Sequence, residues 1–150
     1  MDDLAAAGEV IGQSPLYRTE PVGYAQQSEF VNAAVTLRTA LDPDALLQFL
    51  LATELRYGRD RAGALANGPR ALDLDLLLVD DLVIGSPRLT LPHPSLAHRR
   101  FVLAPMADIA PDLRHPILGK TIAELLAALP DEEPNRRDAV QKIYSPQARP

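Results

Sequence analysis

The chain has 150 residues, of which 47% are apolar and 23% charged, and its formal net charge is −5. This length and composition are typical of one soluble globular domain with a single core. The acidic balance argues against a protein that wraps nucleic acid, although a local basic site is compatible with it. There is no cysteine, which excludes disulfides and thiolate chemistry and fits a cytoplasmic protein. No apolar run is long enough to cross a bilayer, and the N-terminus lacks the regions of a signal peptide.

The first part of the chain predicts short strands. Residues 1–7 resemble the last turns of a helix that Gly8 ends. Residues 10–17 form a candidate strand with an internal proline. Residues 17–24 form a predicted loop, because they contain proline and glycine. Residues 30–38 alternate between two faces and predict a further strand.

Helical signals follow. The Asp-Pro pair at 42–43 predicts the start of a helix, in which leucines recur at helical spacing until Gly58 ends it. Residues 99–109 predict a second helix, whose internal proline is tolerable only in the first turn or at a kink. The sequence Thr-Ile-Ala-Glu at 121–124 is a capping box before a last helix.

Together these elements predict an α+β fold, with a sheet covered by helices on one face. Residues 1–130 are expected to form a single domain. Residues 131–150 are polar and contain several prolines, which predicts a mostly irregular tail with a short strand around 140–144.

The most informative stretch is Gly68–Val79, which reads Gly-Pro-Arg-Ala-Leu-Asp-Leu-Asp-Leu-Leu-Leu-Val. It predicts a tight turn and then a strand, with leucines on one face and Asp73 and Asp75 on the other. A turn at 80–81 should lead into a short hairpin strand at 82–84. Two ionised carboxylates at this spacing repel each other, and a divalent cation such as Mg²⁺ removes the repulsion. The competing interpretation is two solvated acids, which the Asp-x-Asp pattern alone favours.

Cationic side chains flank this acidic pair on both sides. In a Mg²⁺–polyphosphate site, carboxylates hold the metal, the metal bridges phosphate oxygens, and arginines bind the remaining oxygens. The cationic side chains around the acidic pair therefore favour such a site. The flanking residues are Arg59, Arg61 and Arg70 upstream, and Arg88, His93, Arg99 and Arg100 downstream.

Other motifs carry less information. The Gly-Lys-Thr sequence at 119–121 resembles the end of a phosphate-binding P-loop, but Arg114 stands where that motif needs glycine, so the threonine is interpreted as a helix cap. The sequence contains no G-x-G-x-x-G fingerprint, and its three histidines lack zinc-ligand spacing. His93 lies between two prolines near the arginines, where a phosphate contact and a structural role are equally plausible. The other two histidines are interpreted as structural.

Phe30 and Asn32 share one face of a predicted strand. An aromatic ring beside a side-chain amide can stack on a flat heterocycle and bind its edge. Spacing alone favours the simpler interpretation, a core phenylalanine and a surface asparagine.

Five motifs in one order resemble the family of 6-hydroxymethyl-7,8-dihydropterin pyrophosphokinases of folate biosynthesis. The resemblance extends from about Val10 to Leu113. Several motifs in register are far more specific than any one of them. The motifs are Tyr-Arg-Thr-Glu-Pro-Val-Gly at 17–23, Phe-Val-Asn-Ala-Ala-Val at 30–35, the run at 68–78, Leu-Pro-His at 91–93 and Arg-Arg-Phe-Val-Leu at 99–103.

The resemblance implies a ferredoxin-like α+β sandwich and transfer of pyrophosphate from ATP to the hydroxymethyl group of the pterin, with release of AMP. It also implies two Mg²⁺ ions held by Asp73 and Asp75. The ATP side would use Glu54, Arg59, Arg61, Arg70, Leu76, Arg88, Thr90, His93 and Arg99, and the catalytic set would be Arg59, Arg61, Arg70, Asp73 and Asp75.

For the pterin, the resemblance implies a ring held between Phe30 and Phe101. Asn32 would bind its amide edge, helped by backbone around Thr19 and Val22. This reverses the interpretation that spacing alone favours. The glycine- and alanine-containing loop 59–69 would close over ATP as a lid.

Two features depart from the family pattern. Members usually begin with a strand, a Gly-Ser-Asn-type loop and a helix before the point that matches Met1, so an N-terminally shortened fold is expected. Asn67 stands where many members carry tryptophan in the lid. A catalytically weak or inactive nucleotide-binding relative, or a fragment, is therefore the alternative function. A nucleic-acid-binding module is disfavoured by the acidic charge, and we expect a monomer without membrane partners.

Overall fold

The computed structural model describes residues 4–19, 30–57, 73–132 and 135–144. Antiparallel strands and three helices within these ranges confirm the predicted α+β class. Short 3₁₀ turns occur at Leu4–Ala6, Leu96–His98 and Arg137–Ala139. The strands are β1 (Glu9–Gln13), β2 (Leu16–Thr19), β3 (Phe30–Asn32), β4 (Val35–Arg38), β5 (Ile84–Gly85), β6 (Thr90–Leu91) and β7 (Val140–Tyr144), and the helices are α1 (Pro43–Arg56), α2 (Arg100–Ile109) and α3 (Ile122–Ala128).

The strands predicted over 10–17 and 30–38 each consist of two parts. β1 pairs with β4 and β2 with β3, all antiparallel. Between the two pairings, the Ser14 amide donates to the Ala34 carbonyl at 2.9 Å, and the Ala34 amide donates to Ser14 Oγ at 2.8 Å. Because Pro15 has no N–H, the ladder is interrupted at this point. The expected loop over 17–24 is wrong for residues 17–19, which lie in β2; residues 20–24 lie outside the described ranges.

The chain before β1 comes close to the end of β4. The helix expected over residues 1–7 is a single 3₁₀ turn in its described part. A Cβ atom on Gly8 would lie 2.1 Å from the Arg38 carbonyl oxygen. Only glycine therefore allows this close approach of the two backbones.

The predicted strand near 140–144 is confirmed as β7, which pairs antiparallel with β2 and completes a sheet in the order β3-β2-β7. Helix α2 packs against β2, β3 and β4 on one side and against α3 on the other. The core between the helices consists of Leu96, Leu103, Met106, Ile122 and Leu125. Among the described helices, none has the length and apolar character that crossing a membrane requires.

The helix starts follow local rules. The Asp42 side chain accepts from the Ala45 amide at 2.8 Å, and Thr121 and Glu124 form the predicted capping box. Thr121 is therefore a helix cap, as its sequence context indicated. Pro105 lies buried inside α2, beyond the first turn where a proline costs least.

The strand predicted within Gly68–Val79 is the main difference. Residues 73–79 form no ladder with any described strand, and residues 68–72 lie outside the described ranges. The alternation itself is present in the burial: Asp73 and Asp75 are exposed, while Leu74 and Leu76 are partly buried. The sequence pattern therefore fixes which side chains face the protein, whereas a ladder also requires a partner strand.

The hairpin predicted after this segment is also different. The turn at 80–81 is present, and Asp80 adopts φ 49°, a left-handed conformation that aspartate tolerates better than most residues. However, Ile84 pairs with Leu91 in β6 and not with the segment before the turn. The hairpin is thus β5–β6, and its loop carries Arg88.

The surroundings of His115 predict a loss of stability at mildly acidic pH. Nδ1 of this buried side chain accepts from the Ile117 and Leu118 amides at 3.3 and 3.1 Å. Burial, with a smaller contribution from the charge of nearby His98, lowers the pKa of His115 below its usual 6.5. The unfolded chain therefore binds a proton at His115 more readily than the folded chain does. The stability that neutral His115 contributes is lost as pH falls below 6.5 and through the folded pKa.

Urea unfolding at a series of pH values between neutrality and mild acid checks this expectation. The free energy of unfolding should fall with pH in the wild type and fall less in His115→Asn, because asparagine offers a carbonyl oxygen acceptor without titrating. Equal pH dependence in the two proteins would contradict the assigned cause.

Candidate active site

A cleft of about 340 Å³ lies between α1, the segment 74–76 and the loop around β6. This volume falls in the range of small-molecule sites. The cleft brings together side chains from three separate parts of the chain. Six residues expected from the sequence to bind ATP or metal line it: Glu54, Asp75, Leu76, Arg88, Thr90 and His93.

Glu54 is the most buried acid of the cleft, with 2% of its surface exposed. Helix α1 places it on the wall, where its Oε2 accepts from the Leu74 amide at 2.6 Å. A hydrogen bond to an ionised carboxylate is shorter and stronger than a neutral one. Glu54 therefore fixes the backbone of the segment that carries the two aspartates to α1.

The two aspartates flank Leu74 and are both exposed. Asp75 lines the cleft, whereas Asp73 is not among its lining residues. In the described ranges, no three His, Cys, Asp or Glu side chains are grouped closely enough to hold a metal by themselves. Mg²⁺ commonly binds to one or two carboxylates and takes its other ligands from waters and substrate phosphates. The donor set of Asp73 and Asp75 fits a metal of this kind.

Arg88 and His93 line the same cleft as Asp75. Arg88 is exposed and forms a surface ion pair with Asp44 at 3.4 Å, a contact that contributes little and that a ligand can replace. His93 Nδ1 accepts from the Ser95 amide at 3.1 Å, which leaves Nε2 to carry the proton and donate. The His93 amide also donates to the Leu77 carbonyl at 2.9 Å, so this loop is held against the segment with the aspartates.

A second group of expected residues lies on the β3-β2-β7 sheet and on α2. Asn32 Nδ2 donates to Thr19 Oγ1 at 3.0 Å, and Phe30 is directly opposite Thr19 in the β2–β3 register. Phe101 lies in the first turn of α2, which packs against these two strands. Arg99 does not line the cleft. Its guanidinium carbon lies 5.6 Å from the centre of the Phe101 ring.

Several expected site residues lie outside the described ranges. They are Val22, Arg59, Arg61, Arg70 and the remaining residues of the proposed lid, including Asn67, together with the side chain of Phe30.

Sequence reasoning missed several side chains of the cleft wall, among them two leucines of α1. Leu47 and Leu51 line it together with Glu54. These positions are four and three residues apart, so they share one face of α1. The helical spacing was visible in the sequence, but it is the same for leucines that face a core and for leucines that face a cleft. The exposure of Leu51, at 43%, distinguishes the two cases only in the structure.

Comparisons with known proteins agree on one family. A family model described as 7,8-dihydro-6-hydroxymethylpterin-pyrophosphokinase matches residues 1–111. A 2-amino-4-hydroxy-6-hydroxymethyldihydropteridine pyrophosphokinase from Pseudomonas aeruginosa is 49% identical over 123 residues, which are 82% of this chain and 74% of that protein. A Synechocystis protein of the same name is 46% identical, with 82% and 62% coverage. A folic acid synthesis protein from Schizosaccharomyces pombe is 39% identical over 82% of this chain, which is 16% of its own length.

Proposed function

Because this chain belongs to the 7,8-dihydro-6-hydroxymethylpterin-pyrophosphokinase family, we propose that it transfers pyrophosphate from ATP to 6-hydroxymethyl-7,8-dihydropterin. The products are AMP and the pterin diphosphate. The observation that carries the proposal is the cleft, which an acid of the Asp-x-Asp pair lines together with Arg88 and His93. A polyphosphate with a bound metal requires this combination of charges.

In the proposed reaction the hydroxymethyl oxygen forms a bond to the β-phosphorus of ATP. The bond from that phosphorus to the oxygen bridging it to the α-phosphorus breaks, AMP leaves with this oxygen, and the hydroxyl proton passes to solvent. Such transfers require little covalent chemistry from the protein, so positioning and charge neutralisation supply the rate. Arg88 and His93 would hold phosphate oxygens, and Arg59, Arg61, Arg70 and Arg99 are the further cations that we assign to the ATP side.

Asp73 and Asp75 are the residues that we propose to hold Mg²⁺, with two ions bound in the reacting complex. When bound, Mg²⁺ neutralises phosphate charge and lowers the pKa of a coordinated hydroxyl or water. Glu54 supports this role, because its hydrogen bond to the Leu74 amide fixes the backbone between the two aspartates. Leu76 and Thr90, together with the leucines of α1, would form the wall against which the nucleoside lies.

For the pterin, we propose that Asn32 forms hydrogen bonds to the amide edge of the ring. The contact from Asn32 Nδ2 to Thr19 Oγ1 uses one of its donors and orients the amide, so that Oδ1 can accept from an N–H of the ring. Phe101 and Phe30 are proposed to stack on the two faces of the ring, and backbone near Val22 would complete the contact. Offset stacking of this kind is favourable for flat aromatic systems.

The test uses ATP that carries ³²P in its β-phosphate, together with Mg²⁺ and the pterin. We expect the label in the pterin product and unlabelled AMP in equal amount. Labelled ADP would indicate ordinary phosphoryl transfer and contradict the proposal. Saturable ATP binding without any turnover would instead support the alternative of an inactive relative, which the comparisons do not favour.

We further propose that the protein acts as a monomer in the cytoplasm, where ATP and Mg²⁺ are available. The absence of cysteine is compatible with a reducing compartment. Sedimentation of the purified chain with and without ATP tests the monomeric state.

A further inference from the structure

Three side chains from three different elements meet where α2 covers the β3-β2-β7 sheet. Tyr17 of β2 donates its O–H to Asp108 Oδ2 of α2, across 91 positions of sequence. Lys142 Nζ of β7 lies 3.6 Å from Asp108 Oδ1 and 5.9 Å from the centre of the Tyr17 ring. We refer to Tyr17, Asp108 and Lys142 as the triangle. Each of its contacts joins a different pair of elements, so it ties both strands to the helix.

The Tyr17–Asp108 contact is the strong side of the triangle. Tyr17 is 7% exposed, and Asp108 retains 28% of its side-chain surface. Burial, together with the hydrogen bond to Asp108, raises the pKa of Tyr17 well above its usual value, so the phenol stays protonated. Hydrogen bonds to a carboxylate are stronger than neutral ones. Lys142 is half exposed, and its contact with the second carboxylate oxygen is the weaker side.

The strand register connects the triangle to the proposed pterin site. Tyr17 is opposite Asn32 in β3 and opposite Lys142 in β7. Directly opposite residues share one face of a sheet, as do residues two positions apart on a strand. Asn32 and Thr19 therefore lie on the same face as Tyr17, which is the face that α2 covers. The hydrogen bond between Asn32 and Thr19 lies beside the triangle on this face.

We infer that Tyr17, Asp108 and Lys142 are positioning residues for the pterin site, which makes strand β7 part of the substrate-binding structure. The inference rests on the proposed function and extends it to a segment beyond residue 111, where the family match ends. The triangle fixes the distance between β2, which carries Thr19 and pairs with the strand of Asn32, and the helix that carries Phe101. The ATP cleft is built from α1, the segment 74–76 and the loop around β6, so it does not depend on this contact.

The test compares Tyr17→Phe and Lys142→Met with the wild type in the full chain. We expect the KM for the pterin to rise about fivefold to tenfold in both variants, within the usual range for residues that act through others. The KM for ATP should stay within about twofold of the wild-type value, because a positioning role at one site leaves the other intact. Lys142→Arg keeps the charge and should retain the wild-type KM for the pterin. The dissociation constant of the pterin, measured by calorimetry, should follow the KM.

Arg38→Met is the matched control. Arg38 forms an exposed ion pair with Glu9 at 3.0 Å between β1 and β4, outside both proposed sites. Its removal should leave both KM values unchanged. If Tyr17→Phe and Lys142→Met bind the pterin like the wild type, or if their KM values for the pterin and for ATP rise equally, the inference is overturned while the proposed function stands. A wild-type chain that neither turns over nor binds the pterin overturns the proposed function, and the inference with it.

Discussion

Asp75→Asn is expected to lower turnover by about a thousandfold, which corresponds to the loss of several kcal/mol of transition-state stabilisation by a metal. Asp75 is the carboxylate of the Asp-x-Asp pair that lines the cleft. Asparagine keeps the shape of the side chain but removes the charge that would hold Mg²⁺ against the phosphates. Initial rates of AMP formation at saturating ATP and pterin measure the effect, and a Mg²⁺ titration should show a higher Mg²⁺ requirement.

Asp81→Asn is the control for this change. Asp81 is an exposed acid in the turn that follows the same segment, and it does not line the cleft. Its substitution removes the same charge from an exposed position six residues further along the chain, so turnover should stay within about twofold if position decides the effect. Near-normal turnover in Asp75→Asn, or equal losses in both variants, would remove the metal role from Asp75.

Glu54→Ala is expected to have the second largest effect, because it removes the buried acceptor of the Leu74 amide. Loss of that hydrogen bond should lower the free energy of unfolding by about 2 kcal/mol. The segment that carries Asp73 and Asp75 would then shift, and displacement of catalytic groups by about 1 Å can cost a hundredfold in rate. Urea unfolding and AMP formation measure the two effects separately.

Glu54→Gln separates position from charge. Glutamine retains an oxygen that can accept from the Leu74 amide, so both losses should be clearly smaller than in Glu54→Ala. Equal loss of turnover in the two variants, with stability retained in Glu54→Gln, would show that Glu54 acts by its charge and not by holding the segment.

The parts of the fold that obey local rules were predictable from the sequence. The Asp42 cap and the capping box at Thr121 each need only a side chain and the amides of the next helical turn. The α+β class followed from the order of the elements, and the ferredoxin-like sandwich is the fold of the family. The alternating burial of the segment around Asp73 and Asp75 also follows from its pattern.

What depends on distant partners was not predictable. The break between β1 and β2 had a local signal in Pro15, but the break between β3 and β4 lies at Ala34, whose amide donates to Ser14 across 20 positions. Residues 73–76 alternate like a strand, but residues 73–79 form no ladder with a described strand, since alternation does not specify a partner. The turn at 80–81 was found, but the pairing of Ile84 with Leu91 was not.

The same distinction applies to the candidate site. Residue types and resemblance identified Glu54, Asp75, Arg88 and His93, and the structure brings them to one cleft. The contact of Tyr17 with Asp108 had no sequence signal, because nothing in either segment indicates a partner 91 positions away.

The most direct test of the central claim is pterin-dependent AMP formation by this 150-residue chain. The purified protein is incubated with ATP and Mg²⁺, with and without 6-hydroxymethyl-7,8-dihydropterin, beside Asp73→Ala. We predict AMP only when the pterin is present, and its loss in the variant. A folded wild-type chain that releases no AMP, or an Asp73→Ala variant that releases it at the wild-type rate, would contradict the account.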